Sequence, residues 1–438
     1  MQIIIPPASI VEQVAGKQKR VEAQSYRLMT YVLQCPVDDG VLLYHTLTCC
    51  LLLLSPDEAA HITELPELIE RWFLVPVQHD DGKLCRQIRQ VAQLLQNPAT
   101  TITTYTILTT TGCNARCFYC YERGATPVDM TPETAGKVSR FILDHRGDEE
   151  VRFRWFGGEP LVNVQVIDQI CSTLKEHGVP FHSQMVSNGY LFDAGMVRRA
   201  KDLWHLQKIQ ITLDGTERTY NRTKRFIYGD ESAFERVLGN IGMLMDAGIH
   251  VRVRLNVDKY NIEEMDELVS LLHQRFGANE CLTIYSHELF GERSAEDGAA
   301  LYQQRMALEQ HIADCGYQTR RKLLTKLKLN RCMADNDQSV TIDPTGHLGK
   351  CEHHFDRNFF GHIDSEERDG DVIRRFGERA ADIEACATCP YYPQCIRLVM
   401  CEDGSTCTPE TQKENIYYTL NAMRNEYQNF INNQQHEA

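Results

Sequence analysis

The sequence predicts an α/β protein built on a partial (β/α)6 TIM-like barrel, with a small α+β unit ahead of it and a cysteine-rich region behind it. Three observations carry this. Strand-like and amphipathic helix-like patterns alternate over roughly 220 residues in the middle of the chain. A hairpin pattern followed by helical patterns precedes them, and cysteines, glycines and prolines crowd the stretch from Cys332 to Cys407.

A chain of 438 residues with 42% hydrophobic content can bury several cores. Its 46 basic and 60 acidic residues leave a net charge of −14, which argues against nucleic acid as a partner, because a phosphate backbone rewards an excess of Lys and Arg. The opening MQIIIPPASIVEQVAG, in an arm over residues 1–24, lacks the charge, apolar core and cleavage pattern of a secretory signal. The apolar run CCLLLLS at 49–55 is far short of a membrane span. The expectation is a cytoplasmic protein with no membrane contact, in which the 17 cysteines serve as metal ligands or reactive thiols rather than disulfides.

Residues 25–96 read as one small unit. SYRLMTYVLQCP and VLLYHTLTC are strand-like runs around a turn at Val37 to Gly40; helical patterns follow in PDEAAHIT, in ELPELIERWFLVP and from Gly82 to Gln96. The polar run Asn97-Pro98-Ala99-Thr100 marks a boundary. Over 97–317, TYTILTT, VRFRWFGG, FHSQMVSNG, KIQITLDG, HVRVRLNVD and CLTIYSHEL supply six strands. Helices such as TPETAGKVSRFILDH, with Thr131 as N-cap and Pro132 in its first turn, lie between them. Such a sheet is parallel and takes ligands at the carboxyl ends of its strands. The region 318–409 loses regular periodicity and needs staples to fold. A helix with a frayed tail closes the chain over 410–438.

Cys113, Cys117 and Cys120 form C-x3-C-x2-C directly after the first barrel strand. Structural zinc wants four N or S ligands, and no fourth is close in sequence; Cys85 and Cys171 sit in helical patterns. A cubane cluster held by three cysteines leaves one iron open to a small molecule. The motif, with Tyr119 before its last cysteine, resembles that of the radical S-adenosylmethionine (SAM) enzymes. The resemblance implies a [4Fe–4S] cluster on Cys113, Cys117 and Cys120 whose open iron binds SAM.

Further segments match that family at successive strand ends. Gly157, Gly158, Glu159 and Pro160 resemble the segment that receives the SAM amino group, with Glu159 as acceptor. Ser187 and Asn188 resemble the segment near the ribose. Thr212, in Thr-Leu-Asp-Gly, keeps the hydroxyl that would meet the SAM carboxylate, and Asn256 closes the fifth strand. Relatives add an arginine, for which Arg222 and Arg225 both qualify.

The later cysteines, C-x13-G-x4-C from Cys332 through Gly346 to Cys351, then Cys386, Cys389, Cys395, Cys401 and Cys407, resemble the SPASM extension, which implies two auxiliary [4Fe–4S] clusters. The last spacings are x5 where the family usually has x3. Analogy puts Cys332, Cys351 and Cys401 on the first cluster and Cys386, Cys389, Cys395 and Cys407 on the second. Seven thiolates leave one iron open, to be completed by a substrate thiol or by Cys281 or Cys315. Glu352, after Cys351, stands where related sulfatase maturases carry an acid proposed as a base; His353, His354 and His287 are further candidates.

The unit over 25–96 resembles the winged-helix-like leader-recognition domain of ribosomal-peptide maturases, in which a substrate peptide adds as a strand to a sheet edge. The resemblance as a whole implies a maturase that generates a 5′-deoxyadenosyl radical, modifies a ribosomally made precursor peptide and forms cysteine thioether cross-links, with electrons supplied by a flavodoxin or ferredoxin. The competing expectations are a formylglycine-forming sulfatase maturase or a carbon–carbon cross-linking relative and, from another class, a zinc-bearing interaction module or an electron carrier.

Overall fold

The computed structural model describes residues 1–7, 25–94, 101–229, 232–289, 295–317, 322–327, 332–354, 356–395, 397–401 and 407–437. The expected arm beyond residue 7 and the boundary at 97–100 lie outside the described residues.

The first strands are β1 (Gln2–Ile5), β2 (Tyr26–Leu28), β3 (Val32–Val37), β4 (Gly40–His45), β5 (Cys50–Leu54) and β6 (Leu74–Pro76). β3 and β4 form the expected hairpin around Asp38 and Asp39, and β5 and β1 extend it to an antiparallel sheet of order β1-β5-β4-β3. One expectation is corrected here. The run at 25–36 is two strands in different sheets, β2 pairing instead with β6, which arises from the WFLVP assigned to a helix end. The leucine run at 50–54 is a strand buried along its whole length. One of its faces packs on Ala422, Met423 and Tyr427 of the helix over 409–437, the other on Leu68, Ile69 and Phe73. A strand covered on both faces has no polar alternation to announce it.

The barrel strands are β7 (Thr104–Leu108), β8 (Val151–Phe156), β9 (Phe181–Ser187), β10 (Leu206–Leu213), β11 (His250–Val257) and β12 (Leu282–Glu288). They lie parallel in chain order with helices between them, as the alternating patterns predict. Along β11, Val251, Val253 and Leu255 are fully buried in the core shared with the helices, while Arg252 and Arg254 turn to the interior cavity. β7 and β12 do not pair. β13 (Ser339–Ile342) adds parallel to β7, followed by antiparallel β14 (His347–Gly349) and β15 (Gly361–His362). These three strands correct the expectation that the cysteine-rich region lacks regular structure. They anchor it beside the first barrel strand.

The cysteine-rich region also grips the N-terminal sheet. The Gln394 amide donates to the Tyr44 hydroxyl at 2.9 Å and the Thr46 carbonyl at 2.8 Å, and the Thr46 hydroxyl donates to the Pro390 carbonyl at 2.6 Å.

Candidate active site

The carboxyl ends of β7 to β12 enclose a cavity of about 620 Å³, the end at which parallel sheets bind ligands. Cys113, Cys117 and Cys120 all line it from the loop after β7. That loop is tied down on several sides: the Arg116 N–H donates to the Lys224 carbonyl at 2.8 Å, the Ile227 N–H to the Asn114 carbonyl at 2.9 Å, and the Asn188 amide to Asn114 Oδ1 at 2.6 Å.

The glycine pair after β8 has a concrete task. Gly157 has φ +129°, and a Cβ there would sit 2.1 Å from the Thr110 carbonyl oxygen; at Gly158 it would sit 2.4 Å from that of Gly112. The N–H groups of Gly158 and Glu159 donate to those same two carbonyls at 3.0 and 2.9 Å. Only a backbone without side chains docks this closely on the cysteine loop.

The carboxylate of Glu159 is 0% exposed and stands behind the cavity wall. It accepts from the Ser187 hydroxyl at 2.9 Å, the Asn188 N–H at 2.7 Å and the Leu161 N–H at 3.2 Å. Burial pushes its carboxyl up to about 7, against the pull of these bonds. Here Glu159 joins the ends of β8 and β9, and Pro160 lies buried next to it, its carbonyl accepting from Thr109. Gly157, Gly158, Ser187, Asn188, Thr212, Asn256 and Tyr119 all line the cavity; Glu159, Pro160 and Arg222 do not.

Of the basic residues at 222–225, Lys224 is the one in the wall. Arg222 and Arg225 are exposed, and Arg225 ends the helix over 217–224 at φ +51°. The Lys224 ammonium contacts Asp214 at 2.9 Å, the Thr212 hydroxyl at 2.6 Å and the Tyr119 hydroxyl at 3.0 Å. Tyr119 donates to Asp214 at 2.7 Å, and the Asn256 amide donates to both, each at 3.0 Å. Burial alone would lower the lysine pKa, but the Asp214 carboxylate holds it well above the usual value. Sequence reasoning missed Lys224 and the role of Asp214, which stands in the Thr-Leu-Asp-Gly run. The signal was helical phase: Tyr220, Thr223 and Lys224 share the buried face that Arg222 leaves.

Glu352 lines the same cavity, 3.5 Å from the Arg154 guanidinium, and the neighbouring His353 ring stacks on Tyr121 at 4.8 Å. His354 is held by the Met400 carbonyl at 3.0 Å, and His287 meets Arg254 at 2.9 Å.

The remaining thiols fall into two groups. Cys332, Cys351 and Cys401 pack around Ala334, Phe376 and Leu398, close enough that ionising one raises the pKa of another. Cys389 and Cys407, raised first by burial, are raised further by the nearby Cys395 and Cys386. Cys281 precedes the first residue of β12 and Cys315 follows the helix over 295–314, both packed on the barrel core at the amino end of the sheet. The structure does not bring either to the trio it was expected to complete.

Among the described residues no three His, Cys, Asp or Glu side chains are close enough to share one metal ion. The donor chemistry nevertheless suits thiolate-bound iron. Burial pushes Cys113 up to about 12 and raises Cys117 and Cys120, so a free thiolate is disfavoured there, and a bound cationic iron offsets that cost.

Residues 107–272 match the family model of the Radical SAM superfamily. Over 200 residues the chain is 22% identical to the Fe-coproporphyrin III synthase of Methanosarcina barkeri, covering 45% of this chain and 47% of that protein. Over 164 residues it is 25% identical to an AdoMet-dependent heme synthase of the same organism, covering 37% and 44%. The chain thus spans about half the length of the curated relatives it matches. Among solved structures, anSMEcpe with bound AdoMet and the Cp18Cys peptide superposes with a TM-score of 0.56 at 12% identity, covering 75% of this chain and 99% of that one. Streptococcus suis SuiB bound to S-adenosylmethionine superposes with a TM-score of 0.51 at 13% identity, covering 88% and 98%. The fold is the radical SAM α/β fold with a central parallel sheet, followed by a cysteine-rich region.

Proposed function

We propose that this chain is a radical SAM maturase that modifies a peptide, forming a thioether between a cysteine sulfur and a carbon of its substrate. One observation carries the reading: Cys113, Cys117 and Cys120 line the same cavity as polar residues from the ends of successive parallel strands. When bound, a [4Fe–4S] cluster and SAM would supply one-electron reduction and a 5′-deoxyadenosyl radical able to abstract hydrogen from an unactivated carbon.

The chain's own residues would do the rest. Thr212 would offer its hydroxyl to the SAM carboxylate, as expected, and Lys224 a cation, the part for which Arg222 and Arg225 both qualified and which neither fills from the wall. Ser187 and Asn188 line the cavity and would meet the ribose, and Gly157 and Gly158 keep the cysteine loop in register. Glu352, positioned by Arg154, would take the proton from a substrate thiol at a carboxylate oxygen. The grouping of three and four thiols supports two auxiliary clusters in a SPASM region over 318–409. For the unit over 25–96 the reading is leader recognition, with an edge of the β1-β5-β4-β3 sheet accepting the precursor as an added strand.

Peptide chemistry is favoured by the solved structure that holds both AdoMet and a peptide, anSMEcpe with Cp18Cys. The test is anaerobic reconstitution with dithionite and SAM, assayed for 5′-deoxyadenosine, followed by mass spectrometry of a cysteine-containing precursor. Cleavage of SAM with loss of two hydrogens from the peptide is expected. Replacing Cys113, Cys117 and Cys120 by alanine should abolish 5′-deoxyadenosine; retained cleavage in that variant would end the assignment.

A further inference from the structure

In the N-terminal sheet β3, β4 and β5 follow one another along the chain, but β1 does not: all the residues between Ile5 and Tyr26 separate it from the rest of the unit. It joins the sheet from outside, antiparallel to the free side of β5, which is how a foreign strand adds to a sheet.

The two edges of the β5-β4-β3 core differ. Cys50 to Leu54 are all buried, so β5 is an apolar edge strand with no charge or proline to discourage pairing. On the other side, β3 carries Pro36, which has no N–H to give to a further strand, and exposes Gln34 on the same face. The edge of β5 is therefore the one suited to receive a strand.

β1 fills this edge poorly. It contains three isoleucines, yet only Ile5 is buried, with 8% exposure, while Ile3 is 40% exposed. Its register runs Gln2 with Leu53, Ile3 with Leu52 and Ile5 with Leu51, so the ladder is broken between Ile3 and Ile5 and stops short of Cys50 and Leu54. Pro6 and Pro7 follow at once and cannot extend it. A regular strand without proline can pair along the whole of β5 and set an aliphatic side chain where Ile5 now packs, beside Leu51, Leu53 and Met423. Such a guest makes more of the ladder than β1 does. Guest and β1 cannot share the edge, so β1 weakens the apparent affinity for a guest according to the fraction of molecules in which the edge is open.

We infer that the outer edge of β5 is a seat for an extended aliphatic peptide segment, and that β1 holds this seat closed until such a segment takes its place. This rests on the reading of the unit over 25–96 as the part that receives the precursor. The chain's own Gln2–Ile5 shows the chemistry the seat accepts: a main-chain ladder for affinity, and a branched aliphatic side chain toward the core shared with the helix over 409–437.

The experiment compares the full chain with a chain lacking residues 1–7. The probe is a fluorescein-labelled synthetic copy of residues 1–7, read by fluorescence anisotropy. The shortened chain is expected to bind it about tenfold tighter than the full chain. A control probe with proline in place of Ile3, Ile4 and Ile5 offers no N–H there and should bind neither. Ile5→Asp in the full chain puts a charge on the buried residue of β1 and should also raise probe affinity, which keeps the test open should the shortened chain not fold. Hydrogen exchange gives the location: saturating probe should slow exchange within 50–54. Equal binding of the probe to all three chains, equal binding of the proline control, or protection that appears elsewhere overturns the inference. SAM cleavage is measured on the same preparations. A chain that takes the probe but forms no 5′-deoxyadenosine would sink the maturase reading and leave the seat standing, and one that cleaves SAM but takes no probe loses the seat alone.

Discussion

The Lys224 ammonium and the Asp214 carboxylate lie 2.9 Å apart with 2% and 1% of their side chains exposed, and both bond to Tyr119 of the cysteine loop. This pair couples the loop that bears Cys113, Cys117 and Cys120 to the ends of β10 and β11. Replacing Lys224 by Met strands a buried carboxylate, at a cost of about 3–5 kcal/mol. Urea unfolding should show that loss, and equilibrium dialysis should show SAM binding weakened beyond detection. Unchanged SAM affinity in a folded Lys224→Met protein would remove Lys224 from the SAM site.

Gly157→Ala should separate the barrel cysteines from the rest of the iron chemistry. Its methyl group meets the Thr110 carbonyl at 2.1 Å and its backbone sits at φ +129°, so the cysteine loop must shift at a cost of about 2 kcal/mol or more. Iron analysis after reconstitution should show a partial loss, with 5′-deoxyadenosine formation falling below detection. Full activity would mean that the close approach of these two segments is dispensable.

The two later thiol groups should be separable. Cys351→Ala is expected to remove one auxiliary cluster and Cys389→Ala the other, each giving a distinct loss in the electron paramagnetic resonance spectrum of the reduced protein. SAM cleavage in the absence of peptide should persist in both, because neither thiol lines the barrel cavity. A single variant that abolished both signals would merge the groups.

Acid should loosen the N-terminal unit in two steps. His45 is fully buried, donating from Nε2 to the Trp72 carbonyl at 3.1 Å and accepting at Nδ1 from the Leu47 N–H at 3.3 Å. Burial lowers its pKa from 6.5 to about 4, so its contribution is present above pH 6.5 and declines as pH falls toward 4. Asp81 is buried, which alone would raise its pKa, yet Arg27, His79 and the Thr30 N–H bring it from 3.8 to about 2. Its contribution, about 2 kcal/mol, is present above pH 3.8 and lost as pH falls through 2. Trp72 fluorescence during urea titrations from pH 8 to 3 checks the first step, and His45→Gln should flatten it.

How much of this was legible in the sequence follows from what each segment faces. The barrel strands were readable because each has one apolar face against helices and one polar face toward the cavity, giving the alternation seen in HVRVRLNV. β5 was not, since Leu51 to Leu54 are covered from both sides and one cover comes from a helix more than 350 residues later in the chain. The short β13 to β15 owe their pairing to β7 and carry no pattern of their own. Within the site, the cysteine loop and the strand-end motifs were plain. The sequence did not choose among the three cations of Arg-Thr-Lys-Arg at 222–225; the turn of the helix puts Lys224 on its buried face and leaves Arg222 exposed. Glu159 was recognised but its surroundings were not: a carboxylate that satisfies Ser187, Asn188 and Leu161 links two strands.

The helix over 409–437 lies across the N-terminal sheet, packing Ala422, Met423 and Tyr427 on Leu33, Leu42 and Tyr44, and the Tyr427 hydroxyl donates to Asp39 in the β3–β4 turn. The first and last parts of the chain therefore share one core, although the whole barrel separates them in sequence. A ribosome releases the N-terminal sheet long before its cover exists, so that sheet waits half-clad until the helix over 409–437 emerges. Grafting 25–96 alone onto another protein would carry an uncovered apolar face with it; a usable graft must bring the closing helix as well.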